Sequence, residues 1–137
     1  MYVVHVGDSR CYLLRDGKLK QITRDHTLAQ LYKETMDVPV VNGEPEDEDT
    51  SRWSHTLWNA ISADDSGVEP EVYAANLELG DTILLCTDGL TKYFDTPRLI
   101  ELLNSNDSTE AICQRLIDAA NNAGGHDNIT AALVRIG

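Results

Sequence analysis

Apolar residues in this chain fall in short runs that stop at glycine or aspartate. The clearest is Thr82-Ile83-Leu84-Leu85-Cys86, which ends at Thr87-Asp88-Gly89-Leu90. A run of β-forming residues broken this abruptly predicts a buried strand that carries Asp88 to the rim of a sheet, where the backbone must turn. Val4-His5-Val6 stops in the same way at Gly7-Asp8, and Gly124-Gly125-His126-Asp127-Asn128 leads into a run from Ile129 to Ile136. Three aspartates at strand ends predict one cluster.

Between these landmarks the elements follow in order. Residues 2–6 predict a strand. Arg10–Arg15 and Lys18–Thr23 flank Asp16-Gly17, a hairpin signal because both turn positions need positive φ, so the first block reads as a β-meander. Thr27 caps a predicted helix whose apolar face is Leu28, Leu31 and Tyr32. From about 37 to 55 the prolines and the run Glu46-Asp47-Glu48-Asp49 predict an exposed, flap-like segment. His55–Ala63 fits a strand and a short helix equally. A turn at Asp64-Asp65-Ser66-Gly67 precedes a strand from Val68 to Leu77. Thr96-Pro97 predicts a helix start with Thr96 as the cap. The strongest helix spans Ser108–Ala123, with Ile112, Leu116, Ala119, Ala120 and Ala123 on one face and Gly124 beyond its end. Met1 opens directly on strand, as though a sheet were entered midway, which predicts a truncated domain.

Composition narrows the classes of function. With 137 residues, 42% of them hydrophobic and 25% charged, the chain fits one globular domain over 1–137. A net charge of -12 argues against nucleic acid, whose backbone calls for a basic face. No apolar segment has the length of a membrane span, and no basic lead precedes an apolar run at the N-terminus. Cys11, Cys86 and Cys113 are an odd, widely spaced set in apolar surroundings, which predicts buried thiols in a reducing, cytoplasmic setting.

Carboxylates are hard ligands, and Mg²⁺ or Mn²⁺ takes one or two of them plus waters, leaving room for a substrate phosphate. Asp8, Asp88 and Asp127 provide such a set if their strands converge. Taken singly, an aspartate beside glycine or asparagine reads first as a turn former. The histidines and cysteines lack zinc spacing, the acidic run at 46–49 lacks the spaced ligands and glycine of a calcium loop, and no serine sits in a nucleophile elbow.

The ordered combination carries more than its parts. Val6-Gly7-Asp8-Ser9-Arg10, then Leu19-Lys20-Gln21-Ile22-Thr23-Arg24-Asp25-His26, then Val68-Glu69-Pro70-Glu71-Val72, then Leu85-Cys86-Thr87-Asp88-Gly89-Leu90, then His126-Asp127-Asn128-Ile129-Thr130 resembles the type 2C (PPM) metal-dependent protein serine/threonine phosphatases, bacterial members above all. The likeness covers nearly the whole chain and is weakest between Asp37 and His55. It implies an α+β fold, part of an α-β-β-α sandwich of antiparallel sheets flanked by helices. It also implies a binuclear Mn²⁺ or Mg²⁺ centre and a phosphoprotein substrate, with metal-activated water hydrolysing phosphoserine or phosphothreonine in a signalling role. Asp88 then matches an aspartate that bridges metals, Asp127 a second-metal ligand, and Asp8 an aspartate that shares a third metal with the Asp88 position. Asn128, Thr130 and Gly89 match supporting positions, while Arg10 and His126 fit support and surface roles alike.

Two departures stand against the resemblance. The family's Asp-Gly-x-Gly-Gly motif and upstream phosphate-binding residues are absent from this sequence, so the centre is incomplete and the chain alone is expected to be nearly inactive. The family often carries an acidic residue four positions beyond the Asp88 equivalent, where this chain has Lys92. A cation there bears on whether a third metal binds. The alternative expectation is a non-catalytic, phosphatase-like module for partner binding, with uncovered sheet edges favouring a homodimer or strand exchange.

Overall fold

The computed structural model describes residues 1–35, 53–63 and 67–137. The flap expected over 37–55 lies outside them except for its last three positions, and the turn at Asp64-Asp65-Ser66 lies outside them too. The chain divides into two compact units. One comprises Met1–Val3, Ser9–Thr23 and Tyr73–Gly137, and the other Val4–Asp8 and Arg24–Val72.

The described elements run β1 (Tyr2–His5), β2 (Arg10–Arg15), β3 (Lys18–Gln21), α1 (Leu28–Thr35), β4 (Glu71–Ala74), β5 (Thr82–Cys86), α2 (Asp88–Thr91), α3 (Thr96–Leu103), α4 (Thr109–Asn122) and β6 (Ala131–Arg135). Antiparallel strands and helices together make the fold α+β, as the sequence implied. The four-stranded sheet has the order β3-β2-β5-β6, and β1 pairs instead with β4 in a two-stranded sheet. The expected meander is therefore only the β2–β3 hairpin. Its turn holds Asp16 at φ 49° and Gly17 at φ 72°, the two positive values that a two-residue turn of this hand requires.

Strand β2 is buried along its centre because the larger unit covers both faces of its sheet. On one face Tyr12, Leu14, Leu84 and Cys86 pack with Leu90, Leu99, Leu102, Leu103, Ile112 and Leu116 from the helices. On the other, Cys11, Leu13 and Ile83 pack with Met1, Val3, Ile22, Leu77 and Ile136. That second cover stops short. Leu85, paired with Cys11 across the ladder, stays 45% exposed, and Val134, paired with Ile83, stays 49% exposed.

Helix α4 buries Ile112, Leu116 and Ala120 as its spacing predicts, whereas Ala119 is half-buried and Ala123 exposed. Fully burying the two large side chains is worth about 1.5–3 kcal/mol each. Ser108 caps the helix by accepting the Ala111 N–H at 3.2 Å. Helix α3 starts one residue earlier than expected: Asp95, not Thr96, accepts the Arg98 N–H at 2.9 Å. An aspartate at the cap also complements the helix dipole, which favours it over the neighbouring threonine. Thr27 does cap α1 through the Gln30 N–H at 3.2 Å, yet Ala29 rather than Leu31 is the side chain that α1 buries.

Strand β4 pairs over only four of the ten residues from Val68 to Leu77, matching the four residues of its partner β1. A strand extends only as far as its ladder. Between His55 and Ala63 neither a strand nor a helix forms; an isolated bridge joins Leu57 to Thr27. Among the described residues no helix is long and apolar enough to cross a membrane. Cys11 and Cys86 are buried and Cys113 half-buried, all as free thiols.

Candidate metal centre

Asp88 stands at the end of β5, where the apolar run stops and α2 begins. Thr87, the residue between them, is extended at φ -79° and ψ 163° and does not cap α2 with its side chain. Its hydroxyl is used across the sheet instead. Thr87 Oγ1 donates to the Asn128 carbonyl at 3.0 Å and accepts the Thr130 N–H at 3.1 Å, while the Thr87 N–H donates to the Thr130 carbonyl at 3.2 Å. These bonds fasten the Asp127-Asn128 loop to the strand end that carries Asp88.

Gly89 tightens the same junction. A Cβ at this position would stand 2.5 Å from the Asn128 carbonyl oxygen and 3.3 Å from the Asp127 Cβ, so only glycine lets the two backbones meet this closely. On the loop's other side the His126 N–H donates to the Tyr93 hydroxyl at 3.2 Å. Asp127 closes its own turn, with Oδ1 accepting the Asn128 N–H at 2.8 Å.

This framework brings two of the three expected carboxylates together, with an amine between them. Lys92 lies one helical turn beyond Asp88. Its Nζ stands 2.7 Å from Asp88 Oδ2 and donates to Asp127 Oδ2 at 3.3 Å. The Asp88 contact, followed by that of Asp127, raises the Lys92 pKa above its ordinary value, so the ammonium is held charged. Side-chain exposures of 27% for Asp88, 35% for Lys92 and 46% for Asp127 make this a solvent-facing rim. Its chemistry is that of a cation seat: two hard oxygen donors from different elements converge on one positive charge. Among the described residues no group of three or more His, Cys, Asp or Glu side chains is placed to hold a metal ion.

Asp8 belongs to the other unit, where it follows β1 in a turn anchored by His26. The Gly7 N–H donates to His26 Nδ1 at 3.1 Å, and the His26 N–H donates back to the Gly7 carbonyl at 2.8 Å. Asn59 Nδ2 also reaches Nδ1, at 3.0 Å, and donates to the Glu69 carbonyl at 2.7 Å. A backbone N–H can only donate, so Nδ1 is the acceptor and the ring carries its proton on Nε2, which faces Glu71 Oε2 at 3.4 Å. His26 is fully buried, with Trp58 at 5.0 Å between ring centroids. Glu71 also pairs with Arg24 at 3.1 Å, and Arg24 pairs with Glu34. The sequence marks His26 only as part of a motif. Its signal as an anchor is a histidine between a charged pair and a helix cap, and that signal is weak.

The architecture, antiparallel sheets with helices packed on one of them, is that of a phosphatase-like α+β domain. A serine/threonine phosphatase of S. agalactiae superposes with a TM-score of 0.85 at 31% identity, over 99% of this chain and 54% of that one. The catalytic domain of the phosphatase PstP, solved with two manganese ions, superposes with a TM-score of 0.75 at 35% identity over 96% of this chain and 51% of that one. In sequence, PstP of Mycobacterium tuberculosis is 34% identical over 98% of this chain and 24% of its own length. The serine/threonine phosphatase stp of Listeria welshimeri is 33% identical over 96% of this chain and 50% of its own length. The family model described as stage II sporulation protein E (SpoIIE) matches residues 54–137. The chain belongs to this SpoIIE/PPM-type phosphatase family, and it spans between about a quarter and just over half of the length of these relatives.

Proposed function

We propose that this chain supplies part of the active site of a metal-dependent protein serine/threonine phosphatase acting on phosphoproteins. The observation that carries the reading is the convergence of Asp88 Oδ2 and Asp127 Oδ2 on one cation. Asp88 and Asp127 would hold Mn²⁺ or Mg²⁺, with Asp8 a ligand of a further ion, and Asn128, Thr130 and Gly89 keeping the Asp127 loop against β5. When bound, such an ion acidifies its water and neutralises the phosphoryl oxygens of a phosphate ester. Two carboxylates make an incomplete centre, so the chain by itself turns over little or no substrate. Three free thiols support a reducing, cytoplasmic setting.

The test joins this chain to the half of the Listeria relative that it does not span. The fusion is expected to hydrolyse a phosphothreonine peptide with Mn²⁺, the chain alone to be nearly silent, and Asp88→Asn or Asp127→Asn in the fusion to remove the activity. A folded fusion without turnover, or one indifferent to both substitutions, contradicts the reading.

A second reading, a non-catalytic module for partner binding, draws on the open sheet face at Leu85 and Val134. An uncovered apolar face of this kind favours a homodimer or strand exchange. A clean monomer in sedimentation at high protein concentration counts against it.

A further inference from the structure

We propose that Lys92 is a tethered cation that competes with divalent metal for the Asp88–Asp127 pair and so keeps the metal affinity of this rim low. The inference rests on the reading of these aspartates as metal ligands and adds a determinant of how strongly they bind. Lys92 Nζ lies within 4 Å of both carboxylates and joins two elements, Asp88 coming from the end of β5 and Asp127 from the loop before β6. The two contacts use Oδ2 of each aspartate, while Oδ1 of Asp127 accepts the Asn128 N–H.

An ammonium is a compact point charge on a flexible stem. Held at 2.7 and 3.3 Å, it offsets one of the pair's two negative charges without the fixed coordination that a metal demands. A divalent ion entering here must displace it. Because the stem arises one helical turn from Asp88, the displaced charge stays close and repels the ion across a short distance. With 35% of its side chain exposed, Lys92 has solvent to swing into, so the effect is graded competition and not a complete block.

The opposite role is equally concrete and predicts the opposite sign. If Lys92 chiefly holds the two carboxylates in place, removing its charge loosens them and weakens metal binding.

Paramagnetic broadening of backbone amide signals during Mn²⁺ titration decides between these. In Lys92→Met, which keeps the stem and loses the charge, the amides of Asp88, Gly89, Asp127 and Asn128 are expected to broaden at Mn²⁺ concentrations about tenfold or more below those needed for the unaltered chain. Lys92→Arg, which restores the charge, is expected to behave like the unaltered chain. Circular dichroism checks that each variant folds. Equal or weaker binding by Lys92→Met, including no broadening at any concentration reached, overturns the proposal. The double variant Asp88→Asn with Lys92→Met separates the two layers. If it binds as tightly as Lys92→Met, Asp88 is not a ligand and the underlying reading fails. If it loses binding while Lys92→Met merely equals the unaltered chain, the ligand reading stands and competition by Lys92 fails.

Discussion

Gly89 and Asn128 approach one another so closely that a methyl group on the first would meet the carbonyl of the second at 2.5 Å. This contact joins the strand end bearing Asp88 to the loop bearing Asp127. The obstacle is backbone and not the tip of a flexible side chain, so Gly89→Ala must push the two segments apart. We expect a loss of about 1–3 kcal/mol in urea unfolding and displaced amide shifts at Asp127 and Asn128. A variant within about 0.5 kcal/mol of the unaltered chain, with the loop signals unmoved, contradicts the clash.

Thr87 binds the same loop by hydrogen bonds. Thr87→Val keeps the branched shape and removes both the donor to Asn128 and the acceptor from Thr130. The loop is exposed, so water replaces part of what is lost and the expected cost is about 1 kcal/mol. The sharper readout is local: hydrogen exchange at the Thr130 amide should speed up while amides in the centre of β5 stay protected. Uniform exchange changes along the sheet would argue for a global effect instead.

The Gly7-Asp8 turn depends on an acceptor at His26 Nδ1. His26→Phe preserves an aromatic ring in a fully buried site and leaves the Gly7 N–H and the Asn59 amide without that acceptor. Each buried donor left unmade costs about 1–3 kcal/mol, so thermal unfolding is expected to fall by several degrees or more. His26→Asn, which offers a carbonyl oxygen, should recover part of the loss. A His26→Phe protein as stable as the parent shows that the turn is anchored elsewhere.

Acid sensitivity should trace to Asp81. It is buried, and Arg15 grips it with Nε at 2.8 Å and Nη2 at 2.6 Å while the Glu78 N–H donates to Oδ2 at 2.9 Å. The Arg15 bonds, then that backbone donor, draw its pKa from 3.8 down to about 2. A lowered carboxylate pKa stabilises the folded state above the unfolded value, and the contribution fades as pH falls from near 3.8 through about 2. Asp81→Asn is expected to be less stable than the parent at neutral pH, with the gap shrinking between pH 4 and pH 2 in thermal melts. A gap that is constant over this range would assign the acid limb to other carboxylates.

The strands and the principal helix were legible because their signals are local. The hairpin at Asp16-Gly17 follows from two adjacent residues that accept positive φ, and α4 follows from a serine cap and a face of Ile112, Leu116 and Ala120. Where a neighbour decides the outcome, local signals fell short. The length of β4 is set by the four residues of β1, and the cap expected at Thr96 falls instead to Asp95, which accepts the Arg98 N–H.

By itself, then, the amino-acid order determined where the strands lie along the chain, though not how far each extends, which aspartates follow them, and the family likeness those punctuation marks carry. Tertiary structure decided what meets at the rim. Thr87, Gly89 and Asn128 stand in two motifs far apart along the chain, and their contacts draw Asp127 to Asp88 across a sequence gap that no periodicity spans. Lys92 was readable as a misplaced charge in a motif. That its ammonium stands between the two carboxylates depends on a helix turn and a loop meeting in space, which is a property of packing and not of sequence spacing.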